Sequence, residues 1–428
     1  MSSTLPMTPS RPIASDAINY DDLYARWERG NWRATELDFS QDRIHWRESF
    51  SELERTAGLW NYALFFHGED SVADNLSPYI DAAPREEQKY FLATQQVDEV
   101  RHAVFFKRFM EEVVEVGGDG TMAGALATTQ PELTWGFRQT FGRLDRVAEE
   151  LRHDRSRPKL AQAITLYHVV VEASLAQPGQ HFIESYLEAR GVLPGFYAGM
   201  RNVATDEQRH IGFGVKLLSD LIREDPECVD AVVEILREVI PISTAVLVPP
   251  NGDRRYTECF GFSLEDIYEQ GAISMESKLR AAGLPAEAMD RLPMPFDLPA
   301  RERGERGIKM LEANLIGEKV GPPSRDPEAV GILFDSLRRQ ANPRSVPPGT
   351  TIQWDFVDAD PWYLRLDNGA SSAVQGRTDS PTLTLSCRFE DWVDIAAGRE
   401  DARRLLLTRR LRPRGSMRTL MSLPKVFG

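Results

Sequence analysis

Cysteine is scarce in this chain of 428 residues: Cys228, Cys259 and Cys387 stand far apart, with no Cys-x-x-Cys pair. That excludes a disulfide framework and a thiolate zinc site, and it points to a reducing compartment, the cytoplasm. Long hydrophobic runs are also missing, since no stretch reaches the roughly 18 uncharged residues that span a bilayer. The opening MSSTLPMTPSRPIAS has no apolar run either, so residues 1–19 are expected to form a short flexible leader. The third absence is an excess of positive charge. Fifty-one Lys and Arg against 65 Asp and Glu leave a net charge of -14, which argues against nucleic acid or an anionic membrane as the main partner. What remains, 42% hydrophobic and 27% charged residues, is the composition of a folded protein of two or three domains. Small-molecule chemistry becomes the default expectation.

From about Tyr20 to Leu221 apolar residues recur at three- and four-residue spacing, which predicts helices. Breaks are expected at Gly68, around Pro78 to Pro84, at Gly117 to Gly120, at Pro158, at Pro178-Gly179 and around Gly191 to Gly199. The helical pattern weakens but persists to residue 320, and residues 321–328, rich in Pro and Gly, read as a linker. Beyond it the period changes to two. Ile352, Trp354 and Phe356, then Trp362, Leu364 and Leu366, then Leu383, Leu385 and Cys387 alternate with polar neighbours and predict strands. Asp367-Asn368-Gly369 supplies a hairpin turn, and FEDWVDIAAG a short helix. The expected architecture is mostly α: a ferritin-like helical bundle over residues 20–320, followed by a small α+β domain over 329–428.

One short repeat carries the chemistry. Asp98-Glu99-Val100-Arg101-His102 recurs 108 residues later as Asp206-Glu207-Gln208-Arg209-His210, and both copies contain Glu-x-x-His. On a helix, residues three apart share a face, so a carboxylate and an imidazole can grip one ion. Alone, such a pair is usually solvated surface. Two on separate helices become a di-metal site if two further helices each add an inward Glu. Glu69 meets that requirement: three, four and seven residues away lie Tyr62, Phe65, Phe66, Val72, Ala73 and Leu76, all apolar or aromatic. Glu172, in LYHVVVEASLAQ, is the only acid from Lys159 to Phe182. Buried and unpaired, these carboxylates would be costly; metal binding removes the problem. The plain alternative is that each pairs with a buried arginine or rises to the surface, which fits poorly with all four motifs in order.

The expected ligands are therefore Glu69, Glu99, His102, Glu172, Glu207 and His210. Four carboxylates and two imidazoles suit iron or manganese better than zinc or copper, and four negative charges balance two divalent ions. Such a pair of ions, with dioxygen as oxidant, makes oxidation of C–H bonds or phenols feasible. Asp98 and Asp206 are candidates to accept the free imidazole N–H groups, against the alternative of exposed helix acids. His45, His67, His153, His168 and His181 have no Glu-x-x-His partner and receive no role.

The order and flanking residues, NWRATELDFSQD, HGEDSVADNL, DEVRH, LYHVVVEASLAQPGQH and DEQRH, resemble the ribonucleotide reductase small-subunit superfamily, and within it the R2-like ligand-binding oxidases. The resemblance covers about Tyr20 to Glu318. It implies a heterodinuclear Mn/Fe site or two Fe, a long-chain fatty acid or other hydrophobic ligand beside the metals, and an ether cross-link between a valine and a tyrosine. The matching positions are Val72 and Tyr167; without the family, ordinary core packing would be the preferred reading of both. The segments WDFVDADPWYLRLDNG and SPTLTLSCRFEDWVDIAAGRED resemble a sterol carrier protein 2 domain, which implies lipid binding. The last thirty residues hold nine Lys or Arg against two acids, which suits a carboxylate or phosphate headgroup. Superfamily members are commonly dimers, so a homodimer is expected, with an electron donor of unknown identity. Two rival readings stay open: a radical-generating reductase subunit, and a non-enzymatic lipid- or iron-binding protein.

Overall fold

The computed structural model describes residues 15–427. Of the expected leader, residues 1–14 lie outside the described part, and Ser15–Ala17 form a single 3-10 turn with Ser15 Oγ 3.2 Å from Ser219 Oγ. The first half is a helical bundle whose site-bearing elements are Glu52–Asn75, Glu86–Phe109, the continuous helical run from 157 to 190, and Pro194–Glu224. Each starts where local chemistry demands. Ser51 accepts from the Glu54 amide while Glu54 accepts from the Ser51 amide, a capping box that satisfies two orphan donors. At the head of the Pro194–Glu224 helix the buried Asp42 carboxylate takes the amides of Gly195, at 2.9 Å, and Phe196, at 2.7 Å. An acceptor supplied by another helix therefore does the work of an N-cap.

Two of the expected breaks do not occur. Gly68 lies inside the Glu52–Asn75 helix, and Pro178-Gly179 lies in the first turn of Gln177–Arg190, which continues the preceding helix. Pro178 comes two residues after a more widely wound segment of that run ends. The reason that helix continues is its middle, Thr165–Ala176, which winds as a π-helix. Ser174 Oγ donates to the Val169 carbonyl at 2.6 Å and supports the wider turn.

The second half contains a five-stranded sheet in the order β3-β2-β1-β4-β5. The strands are β1 (Thr350–Phe356), β2 (Trp362–Asp367), β3 (Ala370–Gln375), β4 (Leu383–Cys387) and β5 (Arg412–Gly415). Asp367 pairs with Ala370 across a two-residue loop in which Gly369 has φ +88°, the left-handed geometry such a hairpin requires. β1 and β4 are parallel; the other pairings are antiparallel. The residues expected at period two, from Ile352 to Cys387, form one side of a core closed by the Pro327–Gln340 and Phe389–Ala396 helices. There Phe334 stacks between Trp362, at 4.4 Å, and Trp392, at 4.7 Å. β3, whose sequence ASSAVQ is half polar and has no large apolar residue but Val374, is a largely exposed edge strand. Arg306 bonds Asp335 at 2.6 Å, and Arg399 reaches the carbonyls of Gly317 and Asn314, fastening the two halves.

Candidate metal centre

All six expected ligand residues are buried and meet in the middle of the bundle. Their donor atoms fall into two groups, Glu69, Glu99, His102 and Glu207, and Glu99, Glu172, Glu207 and His210, each drawn within 4.8 Å. Glu99 and Glu207 belong to both groups. His102 Nδ1 lies 3.2 Å from Glu69 and 3.5 Å from both Glu99 and Glu207; His210 Nδ1 lies 3.1 Å from Glu99 and 3.6 Å from both Glu172 and Glu207. Such a set would suit two ions, with Glu99 and Glu207 within reach of both and one further Glu and one imidazole for each.

The far sides of the imidazoles are held by a crossed pair of acids. His102 donates from Nε2 to Asp206, and His210 from Nε2 to Asp98, each at 3.1 Å. The aspartate of one repeat thus fixes the histidine of the other and turns Nδ1 inward, where that of His102 meets Glu69 at 3.2 Å. Trp27 Nε1 donates to Asp98 at 2.9 Å and Trp32 Nε1 to Asp206 at 2.8 Å. Arg209 bonds both aspartates, and Arg101 bonds Asp98. Burial works against ionisation of Asp206, but His102, Arg209 and Trp32 together hold it below its ordinary value. Replacing Asp206 by Asn is expected to weaken ion binding about 10–100-fold, measured by metal competition titration, because the imidazole loses both orientation and basicity. An unchanged affinity would remove Asp206 from this role.

Charge in the cluster is compensated by protons. Burial pushes the Glu69 carboxyl up to about 8. It also raises Glu172, helped by the neighbouring charge of Glu207. Glu99 stays well below its usual range because His210 and His102 overcome the penalty of burial, and both imidazoles are correspondingly raised against their own burial. Three buried carboxylate oxygens aimed at this region lack any partner: Glu99 Oε2, Glu172 Oε2 and Glu207 Oε2. Buried acceptors without partners are rare and costly, and two divalent cations would satisfy them while displacing the protons. The residues therefore fit a di-metal group.

Tyr167 and Glu172 are brought together by Gln95, whose Nε2 donates to both oxygens at 2.9 Å, while the Tyr167 hydroxyl donates to Glu99 at 2.6 Å. Five residues apart on an α-helix, Tyr167 and Glu172 would diverge by about 140°. The π-helix closes its turn one residue later and turns them to one face. Burial, then the charges of Glu99 and Glu172, hold the phenol well above its ordinary value, so it is a hydrogen-bond donor. His168 donates to Gln95 Oε1 at 3.2 Å and is neutral, its value lowered by burial to about 3. A mostly apolar cavity reaches Glu69, Glu99, Glu172 and Glu207 and is walled by Phe65, Val72, Phe137, Phe141, Tyr167 and Leu175. Val72 and Tyr167 thus share one cavity.

Sequence reasoning missed Gln95, Trp27, Trp32 and the two arginines. Gln95 sits four residues before Glu99 and seven before His102, so the face test applied to Glu69 would have found it. Arg101 and Arg209 occupy the same place in both copies of the repeat. Trp27 ends the apolar stripe of Tyr20, Leu23 and Tyr24, and nothing in that segment marks it or Trp32 as a partner of the aspartates.

Residues 15–248, more than half of the chain, match the family model described as ribonucleotide reductase, small chain, and residues 338–428 match the SCP-2 sterol transfer family. Among solved structures, the R2-like ligand-binding oxidase from Sulfolobus acidocaldarius is 25% identical, with 64% of this chain and 96% of that one covered at a TM-score of 0.51. Two single-site variants of an R2-like ligand-binding oxidase with anaerobically reconstituted Mn/Fe cofactor share the fold. One is 22% identical over 63% of this chain and 94% of its own, and the other 23% over 61% and 93%, both at a TM-score of 0.52. No helix among the described residues is long and apolar enough to cross a membrane.

Proposed function

This chain belongs to the ribonucleotide reductase small-chain family, and from that premise we propose that it is a dioxygen-dependent oxidase of a hydrophobic, lipid-like molecule, with Glu69, Glu99, His102, Glu172, Glu207 and His210 as the ligands of a Mn/Fe or Fe/Fe centre. The observation that carries the reading is the apolar cavity that ends on four carboxylates of the cluster. Cavities with mostly apolar walls and few polar groups suit small apolar ligands. The solved relatives with a Mn/Fe cofactor and the lipid-transfer match at the C-terminus support the same direction.

When bound, two such ions together with dioxygen supply the oxidising power for C–H or phenol oxidation. The protein's own groups do the rest. Asp98 and Asp206 hold both imidazoles in the tautomer that presents Nδ1 to the cluster. Gln95 fixes Tyr167 and Glu172 in one orientation, and Phe65, Phe137 and Phe141 keep water from the apolar side of the carboxylates. The Tyr167 hydroxyl holds its proton against Glu99.

The test is reconstitution of the apoprotein with Mn(II) and Fe(II) in air. Two ions per chain and oxygen uptake stimulated by a long-chain fatty acid are expected. Uptake that is stoichiometric with Fe(II) and indifferent to lipid would replace this reading with iron storage. We assign Tyr167 and Val72 to a cross-link in which the Tyr167 oxygen bonds to a carbon of Val72, with the phenolic hydrogen and one C–H hydrogen passing, with two electrons, to dioxygen. Intact mass after reconstitution is expected to fall by two hydrogens, and Tyr167→Phe to abolish the loss. An unchanged wild-type mass would reject the cross-link and leave the metal centre standing.

A further inference from the structure

The chain-wide charge of -14 hides a segment of the opposite sign. From Ala402 to the end of the chain stand eight Lys or Arg and no Asp or Glu. All eight are exposed, and among the described residues only two of them form an ion pair, Arg404 with Glu400 and Arg410 with Asp391. Arg409, Arg410 and Arg412 line one open cleft together with Arg388, Glu390 and Asp391. Arg414, two residues further along β5, lies on the same side of the strand as Arg412.

Large apolar side chains stand exposed among these cations: Leu407 is 86% exposed, Met421 75% and Met417 63%. On the Ala402–Leu407 helix, Arg403 and Arg404 precede Leu407 by four and three residues, so they flank it on the outer face. On the Met417–Phe427 helix, Leu420, Leu423, Val426 and Phe427 pack on the domain core. Met417, Met421 and Lys425 follow one another at four-residue steps on the other face, beside Arg418. The fold therefore makes no use of either methionine. Twice over, exposed apolar tips are bracketed by cations at helical spacing. A bilayer of anionic lipid answers both features, its headgroups meeting the guanidinium groups while the apolar tips enter the acyl boundary. A soluble acidic partner answers only the charge.

We propose that the outer surface of residues 403–425 docks the protein on anionic membranes. The docking does not rest on the oxidase reading. The test is co-sedimentation of the full-length protein with vesicles of phosphatidylcholine alone and of phosphatidylcholine mixed equally with phosphatidylserine. Binding is expected only where phosphatidylserine is present, and it should weaken as salt rises. Arg414→Gln/Arg418→Gln should weaken it about 25-fold, about fivefold for each cation. Met417→Ser/Met421→Ser should weaken it about 10-fold and leave its salt dependence as in the wild type. Arg146→Gln/Arg152→Gln, which takes two exposed cations from the Trp135–His153 helix instead, should change nothing. All these side chains are exposed, and circular dichroism checks that each variant is folded. Equal binding to uncharged vesicles, or charge-dependent binding untouched by Arg414→Gln/Arg418→Gln, would overturn the proposal. So would a chain that ignores vesicles but self-associates through these arginines, which would give the surface to the acidic bundle of a second copy. Failure of metal loading would instead sink the oxidase reading and leave this surface intact.

Discussion

Replacing Glu99 or Glu207 with alanine should empty both metal positions, whereas Glu69→Ala and Glu172→Ala should each empty one. The asymmetry follows from geometry: Glu99 and Glu207 lie in both four-residue groups, Glu69 and His102 only in the first, and Glu172 and His210 only in the second. Loss of a direct ligand is expected to exceed the about 10–100-fold penalty of losing a supporting partner. Metal analysis after dialysis checks the pattern, and equal loss across the four variants would show that the two groups are not separate positions. The same carboxylates weaken the ion-free fold, since burial makes the charge of Glu172 costly. Glu172→Gln is therefore expected to raise the Tm of the ion-free protein and lower that of the metal-loaded one, so the metal provides stability that the polypeptide lacks.

Gly214→Ala is expected to damage both the fold and the centre. A Cβ at Gly214 would lie 2.2 Å from His168 Cβ and 2.3 Å from its Cγ. His168 sits on the π-helix next to Tyr167 and bonds Gln95, so relief of the clash must move the segment that carries Glu172. Overpacking of this kind costs about 3 kcal/mol, a fall of about 3 °C in Tm for a chain of this size. Metal affinity should fall as well, in the group that contains Glu172. Gly331→Ala is the control: nothing lies within 4 Å of its Cβ, and in the Pro327–Gln340 helix it is expected to stabilise by about 0.5–1 kcal/mol. Thermal unfolding of the two variants separates them, and similar midpoints would refute the close approach at Gly214.

Much of the site was legible because its signals are local. Each Glu-x-x-His is written within one turn of one helix, and the apolar faces of Glu69 and Glu172 can be read from neighbours three and four residues away. The strands from Ile352 to Cys387 declared themselves by strict alternation, and Asn368-Gly369 by the turn it requires. β3 was silent because an exposed, half-polar edge strand has no apolar face to alternate. Gly68 and Pro178 misled because a breaker is read by its average behaviour, whereas here one lies within a 24-residue helix and the other just after the π-wound segment of a continuous run.

The amino-acid order alone determined which residue types face inward, that two repeats would each present a carboxylate and an imidazole, and that a helical half precedes an α+β half, since these depend on periodicity. Tertiary structure decided what no window of sequence contains: that Asp98 serves His210 and Asp206 serves His102, that Trp27 and Trp32 reach those acids, and that Glu99 and Glu207 are shared. It also decided that the third helix widens into a π turn, which sets Tyr167 beside Glu172. The physical reason is distance along the chain. Hydrogen bonds between segments up to 174 residues apart have no local pattern to betray them, and a helix chooses its winding by what its neighbours pack against it.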